Sequence, residues 1–540
     1  MACSSGGRPT GSPVPVGDTT RTVAGRIGYR GLAPDLSERT SDGRLIVQPG
    51  LLSATFSAPA AYVTVEVLGD DGRVLGSAPV DTRGRYTIEA NFGLNPATPV
   101  SLRITAEANL PFGATLRVYP DQNSVTPYTI VTDPGGTPGD NRFVVMNINA
   151  DISQEQGAGA FHILKTVFQG FIIGRGGLLP GSIVPDVNFL WRPGNGDAST
   201  VIPAVTVAHI VVAGGVDGIE TSNTDVWDDA ILMRLVGQFM LDYFLYEVAP
   251  AGEIDDARLV PSAAWKEGFL DFWSCLGRGS RIFWDTVGSG DAARVTRYFD
   301  IESFYDDDLT RLGPDDPNVY QPADNVGIGS RFSIAELLWD IHDDNGAGTD
   351  RDGFKLDPAL TIQILDNFVP GFSYPYLMTL LDGYEQSLTL STGAIQLILR
   401  GPEDQDVSYP ATVDNGLLWP VSISPIGKPN ITVRAPFEQT LIDTVDTLTP
   451  DPVNLEIGEH TQRYFTIGLI LTSNLRLELD TPGDLVIDLL RQNNSVVASG
   501  PSPLIVPDLP GTRYIVRVRP ADGALPQLTE FDLKVEVTDP

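Results

Sequence analysis

Thr224-Asp225-Val226-Trp227-Asp228-Asp229-Ala230-Ile231-Leu232-Met233-Arg234-Leu235-Val236-Gly237-Gln238-Phe239-Met240 opens with three aspartates and then turns apolar. Ile231, Leu232, Leu235, Val236, Phe239 and Met240 recur at the spacing that lines one face of a helix. The pattern predicts a helix over 225–247. Arg234 and Gln238 stand four residues apart, so their side chains share a face, and Leu235 follows Arg234 directly. Taken alone, this spacing belongs to any buried amphipathic helix.

Two later segments give it a context. Ala264-Trp265-Lys266-Glu267-Gly268-Phe269-Leu270-Asp271-Phe272-Trp273 comes next, and Ser333-Ile334-Ala335-Glu336-Leu337-Leu338-Trp339-Asp340-Ile341-His342-Asp343-Asp344 after it. Ser333 and Glu336 have the spacing of a capping box, which predicts that the third helix starts there. In this order the three segments, within residues 150 to 360, resemble a gluzincin-type zinc metallopeptidase of bacterial surfaces. The first resembles its zinc helix, His-Glu-Phe-Gly-His, in which two His bind the metal and Glu is the general base. The second resembles the Trp-x-Glu-Gly-x-x-x-Phe helix that supplies a third ligand. Here the His positions carry Arg234 and Gln238, and the Glu position carries Leu235. A guanidinium stays protonated and cannot ligate a metal, and a leucine takes no proton from water. Glu267 is retained, with Asp271 one turn on. The resemblance therefore implies a degenerate site with no catalytic residue and no zinc. In that arrangement Arg234 faces Glu267 and replaces the metal's charge, with Gln238 alongside. The rival reading is an active metal-dependent hydrolase whose metal is held by Glu267, Asp271 and distant carboxylates.

Composition narrows the rest. Lys and Arg number 36 against 69 Asp and Glu, a net charge of −33. Nucleic-acid binding needs clustered basic residues, so nucleic acid is not an expected partner. The 42% hydrophobic content suits a globular chain that buries several cores. Two cysteines, Cys3 and Cys275, make no disulfide framework, and the four histidines have no ligand spacing. Ala2-Cys3-Ser4 followed by a Ser/Gly/Pro tether resembles the processed end of a bacterial lipoprotein. It implies acylation of Cys3, a membrane anchor and a place on the outer surface, with Met1 standing where a signal peptide has been removed.

The expected organisation is multidomain. Residues 1–21 read as the tether. Residues 22–106 alternate in polarity around the turns 69–72 and 81–84, a hairpin signal. They resemble the carboxypeptidase regulatory-like domain, a transthyretin- or Ig-like β-sandwich. Residues 107–150 read as a connecting region of short strands, and 151–400 as the α+β, metallopeptidase-like part. Residues 401–454 form a Pro-rich β connector. Residues 455–540 alternate through Leu475, Leu477 and Leu479, then Ile487 and Leu489, then Val516 and Val518, then Leu533 and Val535. They resemble the pre-peptidase C-terminal domain, a jelly-roll-like β-sandwich.

One further site is expected between Asp343 and Asp352. Asp343, Asn345, Asp350 and Asp352 on a glycine-rich loop offer the hard oxygen ligands calcium prefers, although no Glu closes an EF-hand; a solvated acidic loop fits equally. Neither Gly-x-Ser-x-Gly with a His partner nor a phosphate-binding glycine loop occurs. The sequence thus points to a non-catalytic surface protein. Its expected role is to bind a protein or peptide, to adhere, or to self-associate as an assembly subunit.

Overall fold

Strict alternation builds the first sheets. Along Arg85–Asn91 the side chains of Tyr86, Ile88 and Ala90 are buried and their neighbours exposed, as a strand with one face on a core requires. The hairpin between Thr64–Leu68 and Val74–Pro79 turns at Gly72, whose φ of 75° glycine adopts without steric cost. The computed structural model describes residues 20–33, 53–93, 99–132, 146–153, 156–178, 182–202, 207–216, 219, 222–244, 261–287, 294–301, 331–342, 356–368, 380, 383–384, 421–423, 430–435, 463–469, 471–479, 485–491, 496–520 and 531–538. Among these the fold is sheet-rich, with six sheets and five helices.

The long strand Thr20–Ala33 organises the first sheet. It pairs antiparallel with Ser53–Pro59 and Arg85–Asn91, and parallel with Met146–Asn147 and Ala150–Ile152. A four-stranded antiparallel sheet runs in the order Val74–Pro79, Thr64–Leu68, Ser101–Thr105, Thr129–Val131. A mixed sheet follows. Its strand Asp186–Leu190 lies parallel to both Thr115–Tyr119 and Val207–Val211, with Thr200–Ile202 and Glu107–Asn109 antiparallel at the edges.

The parallel crossover between Thr115–Tyr119 and Asp186–Leu190 contains helix α1 (Ala158–Gly177), the usual way to return a chain for parallel pairing. Phe161, Leu164, Val167 and Phe171 form its buried face. Helices α2 (Asp229–Phe244), α3 (Pro261–Arg278), α4 (Arg331–His342) and α5 (Pro358–Phe368) complete the helical layer, with a hairpin of Ile282–Val287 and Arg294–Asp300 beside it. Helix α3 packs against α2 on one side and α4 on the other. It buries Trp265, Phe269, Phe272 and Trp273 completely or nearly so. Aromatics of this size contribute about 2–3 kcal/mol each on burial, so the helical layer stands on apolar packing.

The C-terminal sheets close a second core around Leu475, Leu477, Ile487, Leu489, Val516, Val518 and Leu533. One has the order Val421–Ile423, Arg463–Gly468, Arg513–Pro520, Leu485–Arg491, Val496–Pro501. The other has the order Asn430–Ala435, Phe531–Thr538, Ser473–Leu479, Leu504–Leu509.

Several boundaries differ from the sequence reading. Residues 107–150 are not a separate connector, because their strands are shared out among all three N-terminal sheets. One continuous hydrophobic core joins those sheets to the helices, from Val23 to Tyr384. The Pro-rich connector supplies two strands to the C-terminal sheets, Val421–Ile423 and Asn430–Ala435. Helix α2 begins at Asp229, not 225, because the Asp228 carboxylate accepts from the Ala230 and Ile231 N–H groups as an N-cap. Helix α4 already runs from Arg331, so Ser333 does not start it.

Candidate functional site

The face shared by Arg234, Glu267 and Asp271 is a buried ion cluster. Arg234 projects from α2 towards α3, where Glu267 and Asp271 stand one turn apart on the same face. One guanidinium nitrogen of Arg234 donates to Glu267 Oε2 and the other to Asp271 Oδ1. Arg331, from the first turn of α4, donates to the remaining oxygen, Asp271 Oδ2, from Nε at 2.8 Å, with a terminal nitrogen at 2.6 Å. Side-chain exposure is 8% for Arg234, 2% for Glu267 and Arg331, and 0% for Asp271. Two positive and two negative groups balance.

Gly268 makes this approach possible. A Cβ there would lie 2.5 Å from the Arg331 carbonyl oxygen and 2.7 Å from Ile334 Cβ, so only glycine lets α4 come close enough to place Arg331 on Asp271. Burial opposes the Arg234 charge, but Asp271 and Glu267 outweigh it and raise its pKa. Arginines offer only donors. The cluster therefore has neither a lone pair for a metal at the Arg234 position nor a group there that accepts a proton.

Leu235 and Gln238, the other residues singled out on this helix, have ordinary surroundings. Leu235 is buried in the core. Gln238 is half-buried and hydrogen-bonds Asp242 on its own helix rather than standing alongside Glu267. Arg331 is a partner that the sequence pattern does not single out. Its place at the head of a third apolar helix is the available signal, but the docking of that helix on α3 is a tertiary fact.

Two polar chains thread the same core. The Tyr29 hydroxyl lies 2.9 Å from His162 Nδ1, and His162 Nε2 lies 2.9 Å from Asp229 Oδ1, which also accepts from Thr166 at 2.8 Å. Burial works against the Asp229 charge, yet His162, Lys165 and Thr166 overcome it and hold the carboxyl below the usual range. The second chain runs from Leu356 O to His342 Nδ1 at 2.7 Å, from His342 Nε2 to Thr361 Oγ1 at 2.6 Å, and on to the Tyr384 hydroxyl at 2.5 Å. A carbonyl only accepts, so Nδ1 carries the proton and Nε2 accepts from Thr361. Burial pushes the His342 pKa down to about 4.

A third cluster lies at the start of α2. Asp225, Asp228 and Asp285 each offer one oxygen, and the three atoms lie within 4.8 Å of one another. Asp225 is held by Ser199 Oγ and by Asn223 Nδ2 (3.1 Å), both at Oδ2. Burial, then the Asp285 charge, push Asp225 up to about 7. Asp228 is raised well above the carboxylate range by burial, Asp285 and Asp225, with Arg278 opposing. In the sequence, Asp225 and Asp228 read only as flanks of the helix motif. Nothing in the spacing connects them to Asp285, which the hairpin brings from some sixty residues away.

Asp343, Asn345, Asp350 and Asp352, the expected calcium ligands, lie outside the described residues, as does Cys3. No helix among the described residues is long and apolar enough to cross a membrane.

No protein-family model matches the chain, and no curated protein matches it. Among solved structures, the pre-peptidase C-terminal domain of a collagenase from Bacillus anthracis is similar at 10% identity. The match covers 22% of this chain and 93% of that one, with a TM-score of 0.15. A periplasmic inhibitor of g-type lysozyme from Aeromonas hydrophila matches at 5% identity, over 22% of this chain and 95% of its own, with a TM-score of 0.16. A 9R-lipoxygenase from Cyanothece matches at 14% identity, over 32% of this chain and 25% of its own, with a TM-score of 0.14. At scores this low the likenesses are weak and bear on no activity.

Proposed function

We propose that this chain is a non-catalytic cell-surface protein built on an inactivated zinc-peptidase scaffold. In this reading the helix pair α2–α3 keeps the peptidase arrangement, and the Arg234 side chain fills the place of the metal. The observation that carries it is the Arg234 guanidinium bridging Glu267 and Asp271 in a buried, charge-balanced cluster. A zinc site needs three protein ligands with free lone pairs and an open position for water. Here Glu267 and both oxygens of Asp271 accept from arginine instead.

The flanking β units fit a display role. The N-terminal sheets are read as carboxypeptidase regulatory-like and the C-terminal pair as a pre-peptidase C-terminal-like sandwich, both suited to spacing and presentation. A lipid on Cys3 would tether the assembly to a bacterial surface, where it binds a protein or peptide, adheres, or builds a polymer of itself.

Hydrolysis of a casein or random-peptide substrate, with and without added zinc and chelator, tests the absence of catalysis. The expected result is no zinc-dependent, chelator-sensitive cleavage; such cleavage, lost in Glu267→Gln, overturns the reading. Negative-stain microscopy over a concentration series separates an assembly subunit, seen as ordered polymers, from a monomeric binder.

A further inference from the structure

The three aspartates at the head of α2 have no place in the proposed function. One carboxylate at a helix start is ordinary, since the N-terminal N–H groups and dipole favour it. Asp228 Oδ1 fills that role by accepting from Ala230 N at 2.9 Å and Ile231 N at 3.0 Å. Two more carboxylates at the same point repel the first and each other. Asp225 comes from the loop before the helix, and Asp285 from the strand Ile282–Val287. Thr286 Oγ1 fastens that strand to the loop through the Thr224 carbonyl at 2.5 Å.

A second observation concerns individual oxygens. Asp225 is 1% exposed and Asp228 is fully buried. Each uses one carboxylate oxygen in hydrogen bonds, while the other, Asp225 Oδ1 and Asp228 Oδ2, is buried with no hydrogen-bond partner. A buried carboxylate oxygen with nothing to accept from is costly. The positive group that acts on Asp228, Arg278, donates to Ser274 O at 3.0 Å and Ile282 O at 2.5 Å and stacks 4.3 Å over Trp284, while its Nη1 is buried with no hydrogen-bond partner.

We propose that Asp225, Asp228 and Asp285 bind a divalent calcium ion that clamps the head of α2 to the hairpin strand. Two oxygens on one calcium, each about 2.4 Å from it, stand at most about 4.8 Å apart, and the three carboxylate oxygens lie within that limit of one another. The donor set is three carboxyl groups, all oxygen, which selects a hard cation over zinc or copper once binding displaces their protons. Calcium is preferred to magnesium because the ligands come from two separate segments and need no ideal octahedron. Asp285 is half-buried, which leaves a path for the ion and its remaining waters.

The test uses the full chain stripped with chelator and terbium as a calcium probe. Trp227 and Trp284 adjoin Asp228 and Asp285 in sequence and are buried, so terbium held at the trio emits when tryptophan is excited. The expected result is saturable emission at one ion per chain, displaced by calcium more readily than by magnesium. Asp285→Asn, which spares the helix cap, and Asp225→Asn should each weaken it about tenfold or more, because ligand charge sets calcium affinity. Circular dichroism confirms that each variant is folded, and Asp285→Asn alone decides if Asp225→Asn is not. Emission unchanged in Asp285→Asn overturns the proposal. So does emission abolished only by Asp343→Asn with Asp350→Asn, or weak unsaturable binding shared by all variants. None of these results depends on whether zinc or peptidase activity is found.

Discussion

Replacing Arg234 by Met removes the charge at the centre of the ion cluster while keeping most of the side chain's apolar stem. Glu267 and Asp271 are 2% and 0% exposed, so neither can turn to water, and Arg331 on Asp271 is left to offset them. A buried pair broken on one side costs about 3–5 kcal/mol, because the partner charge is left uncompensated. Arg234→Met should therefore lower stability by about that amount. Glu267→Gln leaves Arg234 with Asp271 and a neutral acceptor, and should cost about 1.5–3 kcal/mol, the worth of a hydrogen bond to a charged group. In the double variant Asp271 and Arg331 balance again, so its loss should fall short of the sum by about 1–3 kcal/mol, the coupling of residues in contact. Urea unfolding followed by tryptophan fluorescence reads this directly, since Trp191, Trp227, Trp265, Trp273, Trp284 and Trp339 lie in or against the core that holds the cluster. If Arg234→Met stays within about 0.5 kcal/mol of the parent, as surface changes do, or if the two changes add, the reasoning fails.

Three further outcomes are expected. Gly268→Ala should cost about 1–3 kcal/mol by overpacking α3 on α4, where the new Cβ would meet the Arg331 carbonyl at 2.5 Å; urea midpoints measure it. His342 carries a folded pKa of about 4 against an ordinary value near 6.5. Its neutral form is thus the folded one, and its stability contribution is complete above about pH 6.5 and lost as pH falls towards 4, at about 1.4 kcal/mol for each pH unit crossed between those two values. Among the described residues it meets Leu356 O, Thr361 Oγ1 and the Phe272 ring, with the Asp357 charge nearby and Tyr384 behind Thr361. His342→Gln should flatten that part of the stability–pH curve, and an unchanged slope would contradict the assignment. Leu477→Ala, at the centre of the C-terminal core, should cost about 2–5 kcal/mol in the transition of that core, read by circular dichroism, and leave the transition of the helical core in place.

Much of the secondary structure is legible in the sequence because burial imposes a period. Phe161, Leu164, Val167 and Phe171 mark α1, and Leu475, Leu477 and Leu479 mark a C-terminal strand whose inward face they line. The Arg234–Glu267 contact is legible too, since four-residue spacing fixes a shared face and a buried glutamate demands a partner. Illegible features are those set by docking between distant segments. Arg331 reaches Asp271 only because Gly268 admits α4, and Asp285 meets Asp225 and Asp228 only because a hairpin folds back on the head of α2. The parallel pairing of Thr20–Ala33 with Ala150–Ile152 also crosses more than a hundred residues. Local alternation predicts such strands but not their partners.

The central claim is that an arginine stands where a peptidase would hold zinc. Its most direct test is zinc stoichiometry, by elemental analysis of the full chain equilibrated with zinc and freed of unbound metal, beside Glu267→Gln treated identically. The account predicts no zinc whose retention depends on Glu267. One zinc per chain that disappears in Glu267→Gln would contradict it.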